Sequence, residues 1–282
     1  MKQPEVLLGK PRETERPLAV EVGGPNNGLC WPRQKLYLPV SILIPVSNEA
    51  EGIESFLAET VETVYRYLPE GSEIHIEEGG SRDGTRDVLV DLNRRWTFLN
   101  IDYNNKKEGF AVAAATLYRR AKCPLIFFLD SDGQCVPAEF WKLVPAINDH
   151  DFVLGKKKIR HDPLYRRVLS RSFNTTAGVL FGLRFTDINF GYRLVWRDPL
   201  LKSLECRRYM QTMLNAELVI LASLMDFKIC EVPVHHRPRL YGAPQGFNTS
   251  KILLEAVAAF YALLLLKRDA HSFVNTMGES HT

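Results

Sequence analysis

The sequence lacks several features that would narrow its class at once. Its 282 residues carry 36 Lys and Arg against 33 Asp and Glu, a formal excess of only +3. That is too mild to argue a nucleic-acid partner. No run reaches the ~18 apolar residues of a membrane-spanning helix. The nearest, "ILLEAVAAFYALLLL" from Ile252 to Leu266, is too short and holds Glu255. It reads as an amphipathic helix packed on the domain or resting at a membrane interface. The five cysteines (Cys30, Cys123, Cys135, Cys206, Cys230) form no CxxC and no zinc-like spacing. They read as free thiols in a reducing compartment. A basic-plus-apolar leader pattern is missing, and without secretion the sequons at Asn174 and Asn248 mean little. Repeats and low-complexity tracts are absent as well. The expected location is cytoplasmic, with room for peripheral attachment to the cytoplasmic face of a membrane.

What is present is alternation. Residues 1–38 hold Pro, Gly, Asn and charges without periodicity and read as an irregular extension. "VSILIPV" (Val40–Val46) is a short buried strand, and Glu51–Leu68 has helical apolar spacing closed by Pro69 and Gly71. Strand and helix then alternate: strands over Glu73–Glu77, Phe98–Asp102, Leu125–Asp130 and Asp151–Gly155, helices over Asp83–Arg94, Gly109–Ala121 and Pro137–Ile147. The pattern predicts an α/β domain over 39–246 with a mainly parallel sheet flanked by helices. Ligands of such sheets bind at the carboxyl ends of the strands. The loops there are "SNEAEG", "EGGSRDGT", "NNKKEG" and "DSDGQ", which hold the acids, the lysines and most glycines of this half. Past Gly155, seven Lys and Arg crowd between Lys156 and Arg171. A helical stretch to about Leu183 follows, then a helix over Leu214–Met225, a strand "KICEVPV", and an amphipathic helix and tail over 247–282.

Asp130 and Asp132 close an apolar strand. Two carboxylates so near each other repel unless a cation lies between them, and a divalent metal with open positions for phosphate meets that need. Gln134 offers a neutral oxygen at the next alternate position. The plainer alternative is a polar turn capping the next helix. In "EEGGSRDGT", Ser81, Asp83 and Gly84 can make a tight turn opening a helix, while Gly79 and Gly80 allow close approach to the backbone.

Taken in order, "IPVSNEAEGI", "EEGGSRDGT", "KKEGFAVAAA", "DSDGQ", "DINFGYR" and "EVPVHHRPRLYG" resemble family-2 glycosyltransferases of the GT-A, Rossmann-like fold. Among these the chain looks most like polyprenyl-phosphate sugar synthases such as dolichyl-phosphate mannose synthase. The resemblance runs from about Val40 to Gly242. It implies Mg²⁺ or Mn²⁺ at the Asp-x-Asp loop, with Asp132 and Gln134 facing the metal and Asp130 a ligand or a partner of the nucleotide. Ser131 lies between them in the donor-binding set. Pro45 and Glu49 match the loop that holds the nucleoside, and Glu78 matches an acid accepting a hydrogen bond from the base. Gly80, Ser81 and Asp83 complete that loop. Gly79 replaces a usual Asp and Ser47 a common Tyr, which leaves uracil and guanine both open. Lys106 and Lys107 read as solvated rather than catalytic, with Lys107 kept as a donor-binding candidate. Arg193 matches an arginine near the reacting phosphates, and Arg239 the basic residue of the last motif, where Pro244-Gln245 replaces a usual Ser-Lys. Asp187 and Asn189 belong to the loop expected on the sugar and acceptor side. Glu217 is either an acid facing that site or a helix-surface glutamate.

The resemblance implies inverting transfer of a hexose from a nucleotide sugar, UDP-hexose or GDP-mannose, to polyprenyl phosphate. The Lys156–Arg171 segment would read the acceptor phosphate or an anionic membrane surface, or else form a charged helix face. A rival keeps fold and donor but uses a hydroxyl of a soluble metabolite or glycan. That attack needs a general base, with Asp187 and Glu217 as candidates. A non-catalytic nucleotide-sugar-binding protein is the third reading.

Overall fold

A computed structural model describes residues 19–22, 34–106, 109–159, 164–239 and 252–278. The chain opens with β1 (Val20–Val22) and β2 (Gln34–Leu36). Next come β3 (Val40–Val46), α1 (Ile53–Thr63), β4 (Glu73–Glu78), α2 (Thr85–Arg95), β5 (Leu99–Tyr103), α3 (Phe110–Arg120) and β6 (Leu125–Leu129). Then follow α4 (Phe140–Leu143), β7 (Phe152–Lys157), α5 (Leu164–Phe181), β8 (Tyr192–Trp196), α6 (Arg197–Glu205), α7 (Leu214–Leu224), β9 (Ile229–Val234) and α8 (Ile252–Gly278).

The main sheet has seven strands in the order β5-β4-β3-β6-β8-β7-β9. β3 pairs in parallel with both β4 and β6. Every residue of β3 is buried, with Ile42 and Ile44 in one core and Leu43 in the other. An unbroken apolar run is what a strand covered on both faces requires. The first core takes in Phe56, Leu57, Leu89 and Trp141 from α1, α2 and α4. The second takes in Leu117, Phe173, Leu218 and Leu263 from α3, α5, α7 and α8. From β3 the chain moves outward to β4 and β5 and then returns to β6 on the other side. That reversal opens a crevice at the carboxyl ends of β3 and β6.

Three differences from the sequence expectation stand out. The N-terminal stretch is not wholly irregular: β1 and β2 form an antiparallel ribbon, tied to the domain where Ala19 N–H donates to Asn148 Oδ1 at 3.0 Å. Strands of three residues are too short to show a period. β8 runs antiparallel to both β6 and β7, so the sheet is mixed on that side. The helix expected over Pro137–Ile147 is broken into 3₁₀ turns at Pro137–Glu139 and Val144–Asn148 around the single turn of α4, because Pro145 cannot donate to an α-helical ladder. The last helix, α8, lies within the expected 247–282, and no helix among the described residues is long and apolar enough to cross a membrane.

Candidate active site

The loops after β3 and β4 are stitched together by the small polar residues that the sequence singled out. Asn48, with φ of 54°, receives a hydrogen bond on Oδ1 from Arg82 N–H and donates its own N–H to Ser81 Oγ, both at 2.9 Å. Ala50 N–H donates to Asp83 Oδ2 at 3.1 Å, and Glu49 N–H to Thr85 Oγ1 at 2.9 Å. Burial alone would raise the Asp83 carboxyl, but bonds from Thr85 and the Ala50 N–H hold it below its ordinary value. Ser81 and Asp83 therefore shape the crevice wall. Glu78, expected to accept a hydrogen bond from the base, is engaged within the protein. It is fully buried, one oxygen taking the Ser81 N–H at 2.5 Å and the other a two-point contact from Arg86 at 2.9 and 3.1 Å. Arg86 also donates to the Asn104 carbonyl. Lys107 lies outside the described residues.

The Asp-x-Asp loop leaves β6 across the crevice. Ser131 Oγ donates to the Pro45 carbonyl at 2.8 Å, fixing this loop to the end of β3. Gln134 N–H donates to Asp132 Oδ1 at 3.0 Å, and Gly133 has φ of 72°. The Gln134 amide donates to the Arg237 carbonyl at 3.3 Å while Arg237 N–H returns a bond to the Gln134 carbonyl at 2.7 Å. Arg237 is clamped in turn by Glu59 at 2.7 and 2.9 Å. This ladder carries Arg239 between two acids, 2.5 Å from Glu49 and 3.5 Å from Asp132.

Negative charge is in excess there. Burial pushes the Glu49 carboxyl up to about 7, against the pull of Arg239 and with help from Asp132 and Asp83. Asp130 is also pushed up, by burial and then by Asp132, despite Lys157 and Arg193 nearby. Among the described residues no three His, Cys, Asp or Glu side chains form a preassembled metal cage. Two carboxylates completed by ligand phosphates are what a hard divalent cation such as Mg²⁺ accepts, so Asp130 and Asp132 fit a cation arriving with a diphosphate. Gly191 supports this arrangement from below: a Cβ there would collide with both Asp130 oxygens. Gly191→Ala is expected to cost only about 0.5–1.5 kcal/mol, since the crowded carboxylate can turn aside. Mn²⁺ affinity, measured by calorimetry with nucleoside diphosphate present, should fall about 10–100-fold. Unchanged affinity would detach Asp130 from the cation.

The third wall is the segment between α5 and β8. Asp187 is buried, and its N–H donates to Glu231 at 2.9 Å beside the Thr186 N–H at 2.6 Å. Asn189 Oδ1 accepts from Ala216 N–H at 3.3 Å. Arg193, expected near the reacting phosphates, is held in the core. No part of it is exposed, and its guanidinium donates to the carbonyls of Ile188, Phe190 and Asn215 at 3.2, 2.7 and 3.2 Å. Glu217 is neither a base facing the site nor a surface residue. It is fully buried and its two oxygens accept the N–H groups of Arg208, Tyr209 and Met210 at 2.7–2.9 Å. Both are loop anchors. Beside this wall lies a cleft of about 540 Å³ lined by Lys156, Lys157, Arg171, Asn174, Thr175 and Thr186 among others. Lys157 also sits over the Phe190 ring at 4.7 Å. Arg166 and Arg167 are half-buried on α5 and do not line the cleft.

Residues 41–203 match the glycosyl transferase family 2 profile, more than half of the chain. The chain belongs to glycosyl transferase family 2. Within the family it is similar to the undecaprenyl-phosphate 4-deoxy-4-formamido-L-arabinose transferases of Salmonella typhimurium, 27% identical over 206 residues, and Yersinia pestis, 26% over 227 residues. These alignments cover 72% and 80% of this chain. They span 61% and 66% of the relatives, so the chain matches somewhat less than two thirds of their length. Solved structures of similar fold include glucosyl-3-phosphoglycerate synthase from Mycobacterium tuberculosis, with a TM-score of 0.61 at 16% identity over 80% of this chain and 79% of that one. A mannosyltransferase from Pyrobaculum calidifontis, in complex with GDP-Man and Mn²⁺, gives 0.53 at 16% over 95% and 80%. The fold is the GT-A fold.

For a family 2 chain, several crevice residues had no signal in the motifs alone. Arg86 reads as one more helix-surface arginine in "GTRDVLVDLNRR", yet it covers Glu78. Glu231 lies in a quoted motif, but its role shows only when β9 is placed beside the Thr186–Asp187 turn. The Glu59–Arg237 pair spans 178 residues of sequence.

Proposed function

We propose that this family 2 chain transfers a hexose from a nucleotide sugar to a polyprenyl phosphate with inversion, using Mg²⁺ or Mn²⁺ at Asp130 and Asp132. The observation that carries the acceptor half of this reading is the cationic cleft. Lys156, Lys157 and Arg171 converge in it, and Lys157 is also close enough to act on Asp130. A phosphate held there would sit beside the donor crevice. The phosphate monoester is already largely ionised at neutral pH, its second pKa being about 6, so no strong protein base is needed. The occupation of Glu217 by three N–H groups supports this, since it leaves Asp187 as the remaining candidate base of the original two.

Within this reading the residues have separate tasks. Glu49 and Arg239 hold the loop after β3 against the Asp-x-Asp loop and so define the donor crevice. The β4–α2 loop, through Ser81 and Asp83, fixes its far wall. The divalent cation, when bound, offsets charge on the departing nucleoside diphosphate. Lys157 and Arg171 orient the acceptor oxygen toward the face of the anomeric carbon opposite the diphosphate, giving a β-linked product from an α donor. The base stays open between uracil and guanine. The place of action in this reading is the cytoplasmic face of a membrane.

The test is incubation of the protein and Mn²⁺ with radiolabelled nucleotide sugars, with and without polyprenyl phosphate, followed by extraction into organic solvent. Label should enter the organic phase only with the lipid phosphate. Arg171→Glu should raise the KM for the lipid phosphate about 10–100-fold, the loss of one charge-assisted contact, with donor affinity unchanged. Label passing instead to water-soluble alcohols would favour the hydroxyl-acceptor rival and make Asp187 the base to examine. Donor binding with no transfer to any acceptor would favour a binding protein.

A further inference from the structure

The outer faces of α5 and α8 carry apolar side chains that nothing among the described residues covers. The two helices pack together, with Phe173 edge-on to Phe260 at 6.0 Å and Lys267 over Phe181 at 5.7 Å. The inner face of α8 is anchored in the core by Leu263 and Leu266, both fully buried. Its outer face is different. From Leu254 to Leu264 every exposed position is apolar: Leu254, Val257, Ala258, Tyr261 and Leu264. Leu254 is 70% and Tyr261 61% exposed. A helix with one face on a protein core and the other in water would carry charge there. Beside it, α5 exposes Leu164 and Val168 at 73% and 53%.

We propose that the outer face of α5 and α8 docks on an anionic lipid bilayer, lying in its interface without spanning it. The inference deepens the acceptor reading by naming the surface from which the acceptor is taken. Two observations select a bilayer. The first is charge. No Asp or Glu occurs between Asp162 and Asp187, while that stretch holds Arg166, Arg167, Arg171 and Arg184. The apolar stripe of α8 runs directly into exposed Lys267, followed by Arg268, which is ion-paired with Asp269 at 2.7 Å. Apolar side chains rimmed by cations match a surface of acyl chains beneath anionic headgroups. The second is continuity with the cleft. Arg171, Thr175 and Val179 are exposed on α5 and also line the cationic cleft. A bilayer seated on this face meets the mouth of the cleft, so a lipid phosphate could enter it without its chain leaving the membrane.

The test uses the full chain and vesicles of phosphatidylcholine, with or without phosphatidylglycerol, free of polyprenyl phosphate. The wild type should sediment with the anionic vesicles at low salt. It should bind neutral ones more weakly. The triple variant Val257→Asp/Tyr261→Asp/Leu264→Glu should lose about tenfold or more of that binding, and Leu164→Glu/Val168→Glu should do the same from the other helix. Both should keep the wild-type circular dichroism melt and donor affinity. Equal binding of wild type and both variants, or no wild-type binding to either vesicle, overturns the proposal. So does a wild-type dimer in light scattering that the α8 variant converts to monomer, because the face then belongs to a second copy. Transfer to a short-chain, water-soluble polyprenyl phosphate is measured separately in the absence of vesicles. If that transfer is absent while vesicle binding is present, the acceptor reading fails and the docking surface stands.

Discussion

Replacing Asp132 with alanine is expected to reduce sugar transfer by at least about a hundredfold to a thousandfold, the scale for removing one preorganised group that stabilises transition-state charge. Stability should hardly change. Asp132 is half-buried, and its contacts are a 3.5 Å approach from Arg239 and the N–H of Gln134. Arg239 keeps its shorter contact with Glu49 at 2.5 Å, so the melting free energy should stay within about 0.5 kcal/mol. The crevice electrostatics should shift as well. Asp132 is one of the charges that raise the Glu49 carboxyl to about 7; without it Glu49 should ionise at lower pH. The loss of rate should therefore coincide with weaker Mn²⁺ binding rather than with unfolding, a distinction that calorimetry and a thermal melt can make on the same sample. Full activity of Asp132→Ala, particularly with EDTA present, would sink the metal-dependent reading.

The parts of this molecule legible in the sequence are those governed by short-range pattern. β3 and β6 announce themselves because strands covered on both faces must be continuously apolar, and the polar residues just after them must lie where the sheet opens. The pairing of Ser81 and Asp83 with the loop after β3 was half legible: the turn was visible, but not that its side chains serve the backbone of residues 48–50. For Arg193 and Glu217 the motif register marks the position but not the local partners. A motif register says where a residue stands in the fold. It does not say whether its hydrogen-bonding capacity is already used. Three carbonyls around Arg193 and three N–H groups around Glu217 come from loops and from the first turn of α7, up to 22 residues away, and no periodicity encodes such contacts. The antiparallel insertion of β8 was hidden for a related reason, since strand direction depends on which edge is free when the chain returns.

Arg193→Met is expected to destabilise the protein by about 3–5 kcal/mol, the range for breaking a buried charged network. The melting temperature should fall by roughly 2–4 °C for each kcal/mol. The argument rests on what the guanidinium leaves behind. The carbonyls of Ile188, Phe190 and Asn215 would lose their donor in the core, and the cation that helps offset Asp130 and Asp187 would be gone. Burial already draws the Arg193 pKa below its ordinary value, yet an arginine stays charged under all ordinary conditions. The site thus contains a permanent buried cation whose two terminal nitrogens are held by main-chain oxygens, while its Nε has no hydrogen-bond partner among the described residues. Arg193→Lys separates the two parts of this role. Its ammonium restores the charge but cannot present a planar fork to three carbonyls, so it should recover part of the stability and leave the segment from Asp187 to Phe190 less ordered. Donor affinity, measured well below the melting temperature, should change less than the melting temperature implies. If instead both variants melt like the wild type and lose donor affinity sharply, Arg193 reaches the donor phosphates directly, and the loop-anchoring role assigned to it here is wrong.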